Sequence, residues 1–128
     1  MTNSSKNILS TEANPYRNKN YTVSLLQEIT LNEQTFQFGL RYVPDKLLLN
    51  HEALVDYLTH ILKQTSLKTE ILAHDILEDI MDQIIPKWIE VNLKQQPNIF
   101  GQTILITIED RQPGWDEPLH LQRLPTIF

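Results

Sequence analysis

No cysteine occurs anywhere in the 128 residues. This excludes a thiolate nucleophile, a CxxC redox pair, a thiolate zinc site and a disulfide framework. Glycine is scarce, and Gly39, Gly101 and Gly114 stand too far apart to form a phosphate-cradling loop. Positive charge is also short: 11 Lys and Arg against 16 Asp and Glu give a net charge of −5. That balance argues against coating nucleic acid or lying on an acidic membrane, so neither partner is expected. No apolar run reaches the length of a membrane span. The opening "MTNSSKNILS" has no continuous apolar stretch of the signal-peptide kind, and a cytoplasmic protein is the expectation. What remains is 41% hydrophobic and 21% charged, enough for one globular domain with a core that needs no metal or disulfide staple.

Residues 1–19 are rich in Ser, Asn, Thr and Lys and read as a flexible N-terminal arm that packs little. A folded domain then spans 20–113, and 114–128, interrupted by proline, reads as an irregular tail over the surface. Within the domain "YTVSLLQEITL" (21–31) is rich in β-branched and aromatic residues and predicts a strand. "NEQ" (32–34) predicts a polar turn. In "TFQFGLRYV" (35–43) Phe36, Phe38, Leu40 and Tyr42 share one face, and Gln37, Gly39 and Arg41 the other. The two runs predict an antiparallel hairpin, ended by Pro44-Asp45.

Asn50 is a suitable N-cap, and Glu52 sits in the first turn where the helix dipole favours it. Leu54, Tyr57, Leu58, Ile61 and Leu62 follow the helical spacing. "QTSLK" (64–68) breaks that helix. A second runs from about 69 to 85 on the stripe Leu72, Ile76, Ile80 and Ile84, until Pro86 stops it. "KWIEVNLK" (87–94) sets Ile89, Val91 and Leu93 against Trp88, Glu90 and Asn92. After the loop "QQPNIFG" (95–101), "QTILITIED" (102–110) places Ile104, Ile106 and Ile108 on one face. The order β-β-α-α-β-β predicts an α+β fold: a four-stranded antiparallel sheet with both helices on one face. Its edge strands would be unpaired, and closing several copies into an oligomeric barrel removes edges, so a homo-oligomer is expected.

"RYVPDKLLLNHEALVDYL" and "ILEDIMDQIIPKWIEV" resemble the QueF family, the NADPH-dependent 7-cyano-7-deazaguanine reductases of queuosine biosynthesis. The resemblance runs almost without gaps over about 21–113 and implies the tunnelling fold. In that family a cysteine adds to a nitrile, NADPH supplies hydride, an aspartate donates a proton, and a glutamate grips the purine-like ring. Carried across, the cysteine position is Gln27 and the aspartate position Gln34. A carboxamide neither attacks a nitrile as a thiolate does nor has an acidic proton to give. The cofactor-associated Glu-Ser-Lys-Ser segment reads Asn50, His51, Glu52, Ala53, losing a cation and gaining an anion. The Pro-Arg-Gly-Gly turn reads Pro97-Asn98-Ile99-Phe100, and the histidine before the ring-gripping glutamate is Thr69. Glu70 matches that glutamate, where a carboxylate can accept paired hydrogen bonds from a guanine-like edge. Glu is also favoured in any first turn, so both readings of Glu70 stand.

The resemblance therefore implies a pseudoenzyme. The expected protein lacks nitrile reductase activity and any cofactor, and either binds a purine- or pterin-like ligand or serves as an auxiliary subunit. Two alternatives remain open. One is a divergent reductase using NADPH, completed in a hetero-oligomer by a cysteine-bearing relative. The other is a purely structural or interaction protein. No metal site is expected, because His51, His60, His74 and His120 make no ligating pattern and His74 with Glu78 lacks further ligands. Asp75, Glu78, Asp79 and Asp82 read as a solvated helix face. Trp88 reads as packing, and Phe100 as either a filler of the former pocket or a cap on a subunit contact.

Overall fold

The central strand of the molecule explains the rest. The structure is a computed structural model that describes residues 4–31, 33–63, 68–98, 100–122, 124, 125 and 127, with backbone only at 4 and 119. The elements are a short 3₁₀ helix (Ser4–Ile8), β1 (Thr11–Ala13), β2 (Val23–Leu31), β3 (Gln34–Val43), β4 (Leu47–Leu49), α1 (His51–Ile61), α2 (Thr69–Ile84), β5 (Trp88–Gln95), β6 (Ile104–Arg111) and α3 (Pro118–Gln122). Strands β2-β3-β5-β6 form one antiparallel sheet, and β1 pairs with β4 in a second. The expected polar turn at 32, the break at 64–67 and Ile99 lie outside the described residues.

Alternation fixes which face of the sheet is apolar. Phe36, Phe38, Leu40 and Tyr42 of β3, with Ile89, Val91 and Leu93 of β5, are buried against Leu54, Tyr57, Leu58 and Ile61 of α1 and Leu72, Ile76, Ile80 and Ile84 of α2. Both helices thus cover one face of an α+β fold, as the periodicities predict. Asn50 caps α1 by accepting the Ala53 N–H at 2.9 Å. Ile85 ends α2 in the left-handed region at φ 44°, a costly place for a β-branched residue. Pro86, which follows it, disfavours the right-handed alternative. Across the helix pair the Tyr57 hydroxyl donates to Asp79 Oδ2 at 2.6 Å. Burial, then that bond, pushes the phenol far above its ordinary range. On the same helix Asp75 is pushed up by partial burial and by the Asp79 charge, with His74 opposing.

Residues 4–14 correct the expectation of an arm that packs little. Ser5, Leu9 and Asn14 are buried. Ser5 Oγ lies 2.7 Å from His60 Nδ1. Thr11–Ala13 supply the partner that Leu47–Leu49 require, in register Thr11↔Leu49. The tail is not wholly irregular either: α3 forms, and residues 124, 125 and 127 lie over the helix-free face. On that face Arg41 and Glu90 form an ion pair at 2.7 Å, with side chains 9% and 13% exposed. Asn92 donates to Glu90 and Thr107 to Asn92. Trp88, read from sequence as packing, is buried there and donates to Glu109. No helix among the described residues is long and apolar enough to cross a membrane.

Two outcomes follow from these contacts. Glu90→Ala leaves the Arg41 charge nearly buried, and urea unfolding is expected to show a loss of about 3–5 kcal/mol, while joint replacement of Arg41 and Glu90 by Met costs far less. Asp75→Asn is expected to be more stable than the parent at pH 7. The folded chain holds the Asp75 proton more tightly than the unfolded chain does, so ionising it costs stability. Unfolding curves measured at falling pH should therefore converge through the raised carboxyl pKa and coincide below the unfolded value of about 3.9.

Candidate functional site

Gln27 lies in the middle of β2, directly across from Phe38. Partners across an antiparallel ladder point to the same face, so Gln27 shares the helix-side face and is half-buried. Its amide donates to the Glu28 carbonyl at 3.1 Å. A cavity of about 350 Å³ is lined by Leu26, Gln27, Glu28, Gln37 and Phe38. These residues come from β2 and β3, the end pair of the sheet.

A second group gathers at the hairpin tip, about 13 Å further along at the usual strand rise. Gln34 Nε2 donates to the Gln96 carbonyl at 3.3 Å, and Gln96 N–H donates to Thr35. Thr69, buried at the start of α2, donates to Gln95 Oε1 at 2.5 Å. Glu70 follows it in the first turn, exposed, and its backbone carbonyl lies 2.8 Å from His74 Nδ1. Bonds to the end of β5 thus bring Gln34 and Thr69 to one corner, and Glu70 is the next residue after Thr69 on α2. Gln95 and Gln96, which tie it together, were not singled out from sequence. The paired carboxamides before Pro97 at a strand end are the signal that could have found them.

Asn50, His51, Glu52 and Ala53 are carried to the opposite end. The ladder from Val23↔Tyr42 to Leu31↔Gln34 separates them from the tip. The Asn50 amide donates to Glu12 at 2.9 Å, and its carbonyl is taken by the cap. His51 lines a cavity of about 240 Å³ with Glu12, Tyr21, Val23, Tyr42, Leu48 and Leu49. No lysine or arginine is among these lining residues. Phe100 is 77% exposed and fills no pocket in the protomer. Among the described residues, no three His, Asp or Glu side chains converge as metal ligands do.

No family model matches the chain. Two NADPH-dependent 7-cyano-7-deazaguanine reductases, from two strains of Acidithiobacillus ferrooxidans, are each 27% identical to it over 122 residues, covering 90% of this chain and 85% of theirs. The crystal structure of an archaeosine synthase QueF-Like in the apo form is similar with a TM-score of 0.50, over 70% of this chain and 90% of that one, at 18% identity. The chain is similar in sequence to these reductases and has the tunnelling fold of the QueF-Like structure.

The conformation of β2 bears on what position 27 can do. Here Glu28 to Leu31 remain in the ladder down to the Leu31↔Gln34 pair. Gln27 thus sits inside a regular strand, across from Phe38 on the helix-side face, with the Glu28 side chain on the other face.

That setting makes a checkable statement about nucleophilicity. A thiol placed at 27 by Gln27→Cys is expected to titrate at or above the ordinary value of about 8.5, because partial burial across from Phe38 disfavours thiolate and no cation among the described residues is positioned to favour it. The pH dependence of its alkylation by iodoacetamide measures this, and an apparent pKa near 7 or lower would overturn it.

Proposed function

We propose that this QueF-like protein performs no nitrile reduction and instead holds a flat purine- or pterin-sized heterocycle, with Glu70 as the anchoring carboxylate. The observation that carries the first half is Gln27 in an unbroken β-ladder, with Gln34 bonded to backbone at its tip. Two carboxamides stand where the resemblance calls for a nucleophile and an acid. The second half rests on the exposed Glu70 beside a corner pinned by Thr69, Gln95, Gln34 and Gln96. A carboxylate held in a helix's first turn suits a donor–donor ring edge.

The relatives' names carry NADPH. Asn50 is committed to its cap and to Glu12, and Glu12 with Glu52 adds negative charge to that corner. This donor set does not fit a phosphate-bearing cofactor, so no step is routed through one. Glu70 and the edge cavity at Gln27 do not converge within one protomer. The reading therefore includes a homo-oligomer in which the free edges of β2 and β6 pair between copies. A cytoplasmic setting goes with it.

A structural or interaction role is the second reading, favoured by Phe100 and by Leu26, which is 63% exposed on the edge strand. One set of measurements separates the readings. Titration calorimetry with 7-cyano-7-deazaguanine is expected to give heat that Glu70→Ala removes, with no NADPH oxidation in the same mixture. Heat absent from the parent chain would leave the interaction role, and NADPH consumption dependent on the nitrile would overturn the loss of chemistry.

A further inference from the structure

The helix-free face of the sheet carries a contact that none of this uses. Across the ladder, Leu26, Gly39, Asn92 and Thr107 form one row, and Ser24, Arg41, Glu90 and Glu109 the next. Gly39 is a pit in the first row. A Cβ built there would lie 2.9 Å from Ile127 Cδ1 and 3.4 Å from Leu26 Cδ2, so the missing side chain is the space that Ile127 occupies. In the second row Arg41 spends Nε and Nη2 on Glu90, at 2.9 and 2.7 Å. Its Nη1 donates to the Pro125 carbonyl.

The two anchors share a spacing. Gly39 and Arg41 are two apart on one strand face, and Ile127 and Pro125 are two apart in the tail. The two tail contacts therefore run along β3 in the opposite sense, at the two-residue spacing of one strand face. Charge selects the kind of occupant. Glu90 neutralises the guanidinium, so its remaining nitrogen, Nη1, suits a neutral peptide carbonyl better than an anion. Between tail and sheet a cavity of about 240 Å³ remains, bounded by Arg41, Asn92 and Thr107 below and by Leu124, Pro125 and Ile127 above.

We propose that this face is a peptide-binding socket whose resident ligand is the chain's own C-terminal segment, docked in cis as a strap. An extended segment with a carbonyl for Arg41 and, two residues on, an aliphatic side chain for the Gly39 pit is the class of ligand it takes. The tethered tail acts at high local concentration and keeps competing peptides out.

The test uses the full-length chain. Gly39→Ala is expected to lower the urea midpoint in the parent, because Ile127 must move. In an Ile127→Ala background the same change should leave the midpoint unchanged or raise it, since alanine is the better strand residue once the pit is empty. A labelled synthetic peptide of residues 121–128, followed by fluorescence anisotropy, is expected to bind the Ile127→Asp chain at least tenfold more tightly than the parent. It should fail to bind the chain that carries both Gly39→Val and Ile127→Asp. Equal midpoint shifts in the two backgrounds, or a peptide that fails to bind the Ile127→Asp chain or does not discriminate among the three chains, would overturn the socket.

Discussion

Strand β3 is buried along nearly its whole length, and its two faces are buried by different means. Toward the helices, Phe36, Phe38, Leu40 and Tyr42 meet the apolar stripes of α1 and α2. Toward the tail, Arg41 is matched by Glu90, and Gly39 has no side chain to bury. A slip of one residue in register would turn the aromatic set outward and drive a guanidinium into the core. The β2, β3 and β5 registers are thus fixed together, and with them the positions of Gln27, Gln34 and the tail. That single two-residue alternation orders the rest of the molecule.

How far this could be read from residues depended on range. The helix stripes, the Asn50 cap, the Pro86 stop and the alternation of β3 and β5 are local patterns, and each predicts the element observed. The packing of 4–14 was not legible. Its strand is Thr11-Glu12-Ala13, three exposed residues with no alternation, which exists because Leu47–Leu49 need a ladder partner. Ile8 and Leu9, adjacent apolar residues in a polar arm, were the available hint. The docking of the tail is hidden for the same reason, since its determinants are a missing side chain at Gly39 and a spare donor on Arg41. At the candidate site, Gln27 and Gln34 could be placed on the hairpin. The bonds from Gln95 and Gln96 could not, because only tertiary structure brings the end of β5 to the start of α2.

The likeness to QueF and the proposed loss of its chemistry are compatible because they rest on different residues. The fold is held by the apolar face shared by α1, α2, β3 and β5. The positions argued above to have lost reacting groups, Gln27, Gln34 and 50–53, lie on the end strand β2, at the hairpin tip and at the start of α1. Substitution there costs the core little: Gln27 is half-buried and satisfies its amide on the neighbouring carbonyl, and Gln34 does so on Gln96. A scaffold can keep its register while every reacting group is exchanged.

The same division explains why the helix-free face is so heavily hydrogen-bonded. A face lined by Arg41, Glu90, Asn92 and Thr107 cannot be stabilised by area burial alone, since each buried polar group costs energy unless it is paired. The chain solves this in sequence, with Thr107 holding Asn92, Asn92 holding Glu90, and Glu90 holding Arg41. The series ends on the one guanidinium nitrogen that Glu90 leaves over, Nη1, and the Pro125 carbonyl accepts from it. Without the tail that donor must turn to water and the Gly39 pit loses its apolar partner. The docked segment thus completes the polar network and fills the pit together, which is why one short stretch of chain can close an otherwise polar face.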